Sequence, residues 1–549
     1  MLKKALSLLL ALLMITAVFV GCGKKKADVG GDSDDNAQAT TAQTTVETTA
    51  ETKDFDFGVN ADVTVNDTSI YDDMTIPDLL DPENFQGSDI PEDRDYGGYK
   101  FKILADTTNV NYEFIEESDG ELISDAVINR QTHIEEYVGI DFVLTELLGG
   151  YNHMDDYSGE IEAASGAGTP YDMGLAYNLI PPVVASKGLS KDLAESENLN
   201  LKNTTKEYWG KEIKKEIMVG GRIFWMSDNS SWNNIRNMLC IFVNTEYFTK
   251  NNPTMDKSDL YNMVYNGVWT FDNMFNLIQN AYENVNMGTS ATDGADNGDM
   301  FGLQAASHYA WLDTWLYAAG FRYTELNSNG TYDWTLGNQP VIDFIDWWQE
   351  KLKDDDIDKT DSDVYQQFLD GRAMFALSSI TMVEQKPEID FTVLPMPLYK
   401  TSVKSGYSTP FANTYSSWLI PKATNFEAFE RSATVLELLA AEGNRRLAPV
   451  YFEIYLKRQT AANDEDMRKM FNIIRNCIVF DMGYLYGSVL TYDMNGSNKG
   501  EVFLAVRRIW SGTLTGNSLG HENISTVWAS IGQSVTIKLN KLMVDILEY

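Results

Sequence analysis

Histidine, cysteine and positive charge are scarce in this chain. Its 549 residues include 4 His, 3 Cys and 43 Lys plus Arg, set against 80 Asp plus Glu. The formal net charge of −37 repels phosphate backbones and argues against a nucleic-acid partner. His133, His153, His308 and His521 stand alone, with no H-x-x-x-H or C-x-x-C partner, so the spacing of a zinc site is missing. A Gly-rich phosphate loop is missing too, as is a G-x-S-x-G elbow. Three cysteines cannot build a disulfide framework. Cys240 and Cys477 lie in apolar patterns and read as small core residues; whether they pair stays open. Beyond the N-terminus no stretch is long and apolar enough to cross a bilayer. No tandem repeat of fixed period is visible.

What is present begins at the N-terminus. Lys3 and Lys4 precede an almost unbroken apolar run, Leu8 to Val20, and Gly21 supplies a small residue before Cys22. Phe19-Val20-Gly21-Cys22 resembles a bacterial lipobox, with Phe19 where leucine is usual. The resemblance implies a signal peptide over 1–21 and lipid attachment at Cys22. It places the chain on the extracytoplasmic face of the bacterial cell membrane. An uncleaved anchor would leave it on the same face. Residues 22–95 read as a disordered tether. Thr, Ala, Asp and Gln dominate up to about Gly58, and 59–95 is acidic and carries prolines.

Order is expected from Gly97-Gly98 onward. Tyr99 to Leu104 alternates like a strand, and Ser124 or Asp125 is placed to cap a helix running to Val138. Gly139 ends that helix, Ile140 to Leu144 reads as a second strand, and Tyr171 to Ala176 as a third. Strands alternating with helices predict parallel pairing and an α/β fold. Arg222 to Met226 and Met238 to Val243 also read as strands, as do the run through Gly371 to Leu377 and Phe391 to Pro395. Long helices are predicted over 341–353 and 425–442, with a mostly helical C-terminal third.

Several segments then resemble the extracellular solute-binding proteins of ABC importers, the branch typified by maltose-binding protein. They are Asp125 to Asp141, Tyr171-Asp-Met, Ile241 to Phe248, Gly267-Val-Trp-Thr-Phe-Asp272, Phe368-x-x-Gly-Arg-Ala-Met-Phe375 and Phe391-Thr-Val-Leu-Pro-Met-Pro397. The likeness runs over about 97–549. Thr245 stands where the family usually has lysine. The resemblance implies a type II, two-lobed periplasmic-binding-protein-like α/β fold with hinge crossovers and a ligand cleft. Residues 96–243 with about 400–450 are expected to form lobe 1, and 244–399 lobe 2. Residues 451–549 are expected to be a mostly helical part packing across both lobes. The implied activity is capture of a sugar or oligosaccharide for an ABC permease, as a monomer, without catalysis, cofactor or metal.

Sugars offer apolar faces and a rim of hydroxyls, which aromatic rings and Asp, Asn or Ser match. Ligand positions are expected at the carboxyl ends of parallel strands. Candidates there are Tyr177 and Asn178 after the third strand, and Asp228, Trp232 and Asn233 in a polar loop. Trp232 is the foremost aromatic. Tyr309, Trp311, Ser379, Tyr415 and Trp418 complete the set; Trp418 also fits a core strand position. Asp293 to Asp299 hints at a calcium loop but misses the EF-hand pattern at two positions, and an acidic surface loop explains it as well. The rival reading is a surface glycoside hydrolase with an aromatic-lined cleft, which needs two facing carboxylates. A structural lipoprotein or adhesin is the third class.

Overall fold

The computed structural model describes residues 58, 60, 62–202, 206, 208–227, 231–285, 298–305, 311–358, 364–400, 406–494, 498–511 and 523–548. Cys22, Asp228, Tyr309 and most of the 293–299 loop lie outside them. Residues 52–549 make one compact unit. Among the described residues no helix is long and apolar enough to cross a membrane.

Thirteen described strands run in chain order: β1 (Tyr99–Asp106), β2 (Ile140–Leu147), β3 (Met173–Tyr177), β4 (Leu239–Asn244), β5 (Phe301–Gln304), β6 (Thr324–Leu326), β7 (Tyr332–Trp334), β8 (Ile357–Asp358), β9 (Ala373–Ser379), β10 (Phe391–Leu394), β11 (Ser416–Leu419), β12 (Thr491–Met494) and β13 (Asn498–Glu501). Two sheets organise them, with two small hairpins, β6–β7 and β12–β13. The first sheet has the order β11-β3-β1-β2, with β1 parallel to both β2 and β3 and β11 antiparallel to β3. The second has the order β10-β4-β9-β5-β8, in which β5 runs parallel to β9 and β8 while β4 runs antiparallel to β9 and β10. The fold is therefore mixed α/β and two-lobed, one sheet at the centre of each lobe.

Local chemistry explains the first lobe. The helix Leu122–Val138 stops at Gly139, whose φ of 65° a Cβ would strain, and the Gly139 N–H caps the Glu135 carbonyl. The chain turns there directly into β2. The helix begins earlier than expected, at Leu122, and neither Ser124 nor Asp125 caps it. Every residue of β3 is buried, as a central strand requires. The run 222–226 is a correction. Residues 223–226 are buried, but the run joins no strand ladder: Met226 makes an isolated bridge to Trp418, and Arg222 one to Val219. Ile223 is held instead by its N–H on Asp192 Oδ1 (2.9 Å) and by its carbonyl, which accepts from Leu193 N–H (2.6 Å).

Residues 62–95 also depart from the expected tether. Ile76–Leu79 is helical and capped by Thr75. Leu79 and Phe85 pack on Ile454, and Tyr71 meets the Phe85 ring at 4.9 Å. Burying two such side chains contributes roughly 1.5–3 kcal/mol each. Basic residues far along the chain hold the acidic strip. Arg445 bonds Glu83 (2.7 Å) and the Pro82 carbonyl, Arg458 bonds the Met74 carbonyl (2.7 Å), and Lys457 pairs with Asp72.

The lobes are joined by segments lying side by side. Met238 pairs antiparallel with Phe411, and Thr409 pairs parallel with Ile478. The backbone bonds there include Leu239 N–H to Pro410 O (2.9 Å), Ala412 N–H to Asn237 O (2.7 Å) and Thr409 N–H to Cys477 O (2.7 Å). Three passes of chain thus form the joint. A C-terminal helix, Ile524–Glu548, packs against both the helix Ile180–Ser186 that follows β3 and the helix Gln339–Lys351 beside the second sheet.

Candidate functional site

Register places the strand ends. Tyr177, at the carboxyl end of β3, pairs with Ser416; Ser379, at the carboxyl end of β9, pairs with Leu239. Ser416 and Leu239 each adjoin a crossing segment. The carboxyl ends of both sheets therefore meet the joint, where α/β sheets bind ligands.

Amides fill the lobe 1 side of this seam. Asn233 Nδ2 donates to Thr414 O (3.2 Å) and Ser416 Oγ (3.0 Å), and Asn109 Nδ2 donates to the same two atoms (3.0 and 3.3 Å). Asn234 Oδ1 accepts from Ser416 N–H (2.9 Å), and Asn237 Oδ1 from Thr414 Oγ1 (2.7 Å). Asp106, at the end of β1, accepts backbone N–H groups of Tyr177, Thr108 and Asn109. Burial pushes its carboxyl above the usual range, against those donors. Asn178 is wholly buried beside Tyr415, and both of its amide atoms are left without a well-aligned partner.

On the lobe 2 side, Asp313, Thr314 and Tyr317 face Leu239, Pro410, Phe411 and Tyr415 across a cavity of about 30 Å³. Such a volume holds one or two waters and no sugar ring. The Tyr317 and Tyr415 hydroxyls are buried without an aligned partner. Both carboxylates on this cavity are committed. Asp313 pairs with Arg507, and Asp481 accepts N–H groups of Tyr323, Thr324 and Gly483 (2.8 Å for the last). A clasp crosses nearby: Arg236 pairs with Glu384, which also accepts from Tyr451 OH (2.7 Å).

The expected residues separate into groups. Tyr177, Asn178, Asn233 and Tyr415 come together at the seam, with Ser379 at its lobe 2 edge, where its hydroxyl bonds Thr381. Trp232 is not the free platform its polar loop suggests. Its Nε1 donates to Tyr112 O (2.6 Å), its ring meets Tyr112 edge-on at 5.2 Å and tilts on Tyr451 at 5.6 Å, and Arg236 covers it. Trp418 is a core residue of β11, fully buried with Phe114 at its edge. Trp311 is half-buried against the core and does not line the 30 Å³ cavity. Asp299, the described end of the acidic loop, accepts from Tyr282 OH (2.9 Å) and Val285 N–H (3.0 Å). Cys240 and Cys477 are unpaired. Sequence reasoning missed Asn109, Asn234, Asn237 and Thr414. The three asparagines within 233–237 were the available signal.

One titrating group lies where the lobes touch. Glu216, on the helix Lys211–Ile217, sits beside the helix Met482–Leu485, and the Tyr332 hydroxyl bonds its carbonyl (3.0 Å). Burial, then the charge of Asp481, raises its carboxyl from 4.5 to about 7, with Arg322 and Lys215 opposing. The folded chain thus binds a proton that the unfolded chain releases above about 4.5. Glu216 then contributes stability in full below about pH 4.5, and that contribution is lost as pH rises through 7. Melting followed from pH 4.5 to 8 should show Glu216→Gln removing about 3 kcal/mol of this decline. An unchanged profile refutes the assignment.

No family model and no curated protein matches the chain. Solved structures with similar folds include a cyclo/maltodextrin-binding protein complexed with maltotetraose, at 11% identity and a TM-score of 0.48 over 82% of this chain and 98% of that one. The maltose/maltodextrin-binding domain MalE from Bdellovibrio bacteriovorus, bound to maltotriose, is 12% identical with a TM-score of 0.44, over 81% of this chain and 100% of that one. UgpB from Mycobacterium tuberculosis, in complex with glycerophosphocholine, is 12% identical with a TM-score of 0.48, over 81% and 99%.

Proposed function

We propose that the chain is a solute-binding receptor that captures a sugar or oligosaccharide between its lobes and hands it to an ABC permease. The observation that carries this reading is the meeting of both sheets' carboxyl ends at the joint. Lobes connected by a few crossing segments hinge there, since few φ/ψ angles must change. A solute that touches both lobes selects the closed state. Buried amides and tyrosine hydroxyls along the seam match a hydroxyl-rich guest. A cavity of about 30 Å³ is too small for a sugar ring, so uptake requires the lobes to separate and the clasp between Arg236 and Glu384 to part. Cys22 is the proposed lipid attachment, holding the receptor outside the cell membrane as a monomer.

The hydrolase reading needs two carboxylates free to work, and Asp313 and Asp481 are both engaged. Thermal melting with mono- and oligosaccharides, amino acids and peptides tests the proposal. A bound saccharide at 100 times its Kd should add about 2.7 kcal/mol of stability and be recovered intact. Cleavage products would establish the hydrolase instead. Stabilisation by peptides alone would remove the sugar, and silence across the panel would remove the receptor.

A further inference from the structure

The segment 62–96 touches both lobes before β1 begins. Its first residues lie on the second lobe. Asn60 N–H donates to Asn266 O (2.7 Å), at the end of the helix Lys257–Tyr265. Beside it, Gly267 lets the chain come close: a Cβ there would fall 2.7 Å from Val63 Cβ, and its φ is 65°. Asn476 Nδ2 donates to Asn66 O and Thr68 O (both 3.1 Å), and Asn472 Nδ2 to Asp67 O (2.9 Å). Both asparagines belong to the helix Glu465–Asn476, which packs on β10 and on the helix Lys257–Tyr265.

The later residues lie on the first lobe. Leu80 packs with Ala126 and Val127 of the helix Leu122–Val138. Buried Lys206 bonds Gly87 O (3.1 Å) and Asp89 (2.7 Å), Tyr137 OH donates to Ile90 O (2.8 Å), and Tyr96 N–H donates to Val138 O (2.8 Å). Between the two grips, Glu453, Lys457 and Arg458 of the π-helical stretch Pro449–Thr460 hold Ser69, Asp72 and Met74. Residues of 66–71 share a hollow with Ile478 and Phe480, so the segment passes beside the third crossing segment of the joint. The grips are unequal. The first-lobe end has buried Leu79 and Phe85 and the Arg445 guanidinium, whereas the second-lobe end has a half-buried Val63 and bonds from the exposed Asn476, for which water competes.

We propose that residues 62–96 are a strap that fastens the lobes to each other and resists their separation, letting go first at its 62–68 end. The inference takes the hinge from the receptor reading and adds the element that restrains it. Bending at the joint moves one grip relative to the other, so contacts made in the shut arrangement are lost in the open one. Contacts that differ between two arrangements shift the balance between them. The strap thus favours the shut arrangement, and entry of a solute follows its release.

Hydrogen exchange of the solute-free full chain tests it. Val63→Ser and Asn476→Ala, singly and together, weaken the 62–68 grip, and melting of each variant checks that it folds. Tyr137→Phe removes one bond from the stronger grip as a control. Amides of 232–237 and 313–318, on the two sides of the seam, report separation of the lobes. The proposal expects them to exchange at least about threefold faster in the double variant, with the single variants in between and Tyr137→Phe at the wild-type rate. Where the double variant does not fold, the single variants decide. Faster exchange confined to 62–74, or equal acceleration in Tyr137→Phe, overturns the strap. Maltose, cellobiose and glucose added to wild type separate the two readings. A sugar that slows seam exchange, while the variants leave it unchanged, keeps the receptor and removes the strap. Faster seam exchange in the double variant with no sugar bound keeps the strap and counts against the receptor.

Discussion

Replacing Arg507 by methionine is expected to lower stability by about 3–5 kcal/mol, read as the shift of the urea midpoint. Arg507 and Asp313 are 4% and 3% exposed. Arg507 Nε donates to Asp313 Oδ2 at 2.8 Å, and a second guanidinium nitrogen meets the same oxygen. The guanidinium also lies 4.4 Å from the Phe503 ring centre. Taking it away leaves a carboxylate buried at the seam with only the Tyr323 hydroxyl. The loss comes from that stranded charge rather than from the worth of the pair. Adding Asp313→Asn should therefore restore a large part of it, as a double-mutant cycle measures. A loss below about 1 kcal/mol in the single variant would refute the argument. The pair joins the helix Val502–Ser511 to the lobe 2 edge of the seam, so saccharide affinity should fall with stability.

The second large effect concerns Glu437, in the middle of the helix Phe426–Glu442 and wholly buried. Its carboxylate accepts four bonds: from Tyr208 OH (2.5 Å), Trp209 Nε1 (2.8 Å), Asn200 N–H (3.0 Å) and Asn200 Nδ2 (2.9 Å). Glu437→Leu strands all four donors, and about 3–5 kcal/mol of stability should be lost. Glu437→Gln keeps the shape and one acceptor, so its loss should be smaller. Equal stability of the leucine variant and wild type would contradict the hydrogen-bond account.

The lobe 1 strands were legible because their signals are local. Alternation marks β1, a glycine with positive φ separates the Leu122–Val138 helix from β2, and an unbroken apolar run marks β3. The motif through Gly371 likewise led into β9. Misreadings came where the decisive partner is far away in sequence. The run 222–226 is as apolar as a strand, but the ladder beside it offers a single pairing at Trp418. Residues 62–95 look like an acidic tether until Arg445, Lys457 and Arg458 are brought beside them. At the site, Tyr177 and Asn178 followed from the strand-end rule. The burial of Trp232 depended on Tyr112 and Tyr451, 120 and 219 positions away, and no pattern around 232 announces them.

The two unpaired cysteines carry a practical consequence. Burial raises the Cys477 thiol to about 12 and takes Cys240 higher still. Near neutral pH neither yields an appreciable thiolate for maleimide dyes. Val143 on the first sheet and Leu326 in the β6–β7 hairpin are exposed. With Cys22 replaced, fluorophores coupled through Val143→Cys and Leu326→Cys would have no competing attachment point among the described residues, and the spacing of the two lobes becomes measurable by energy transfer in a single molecule.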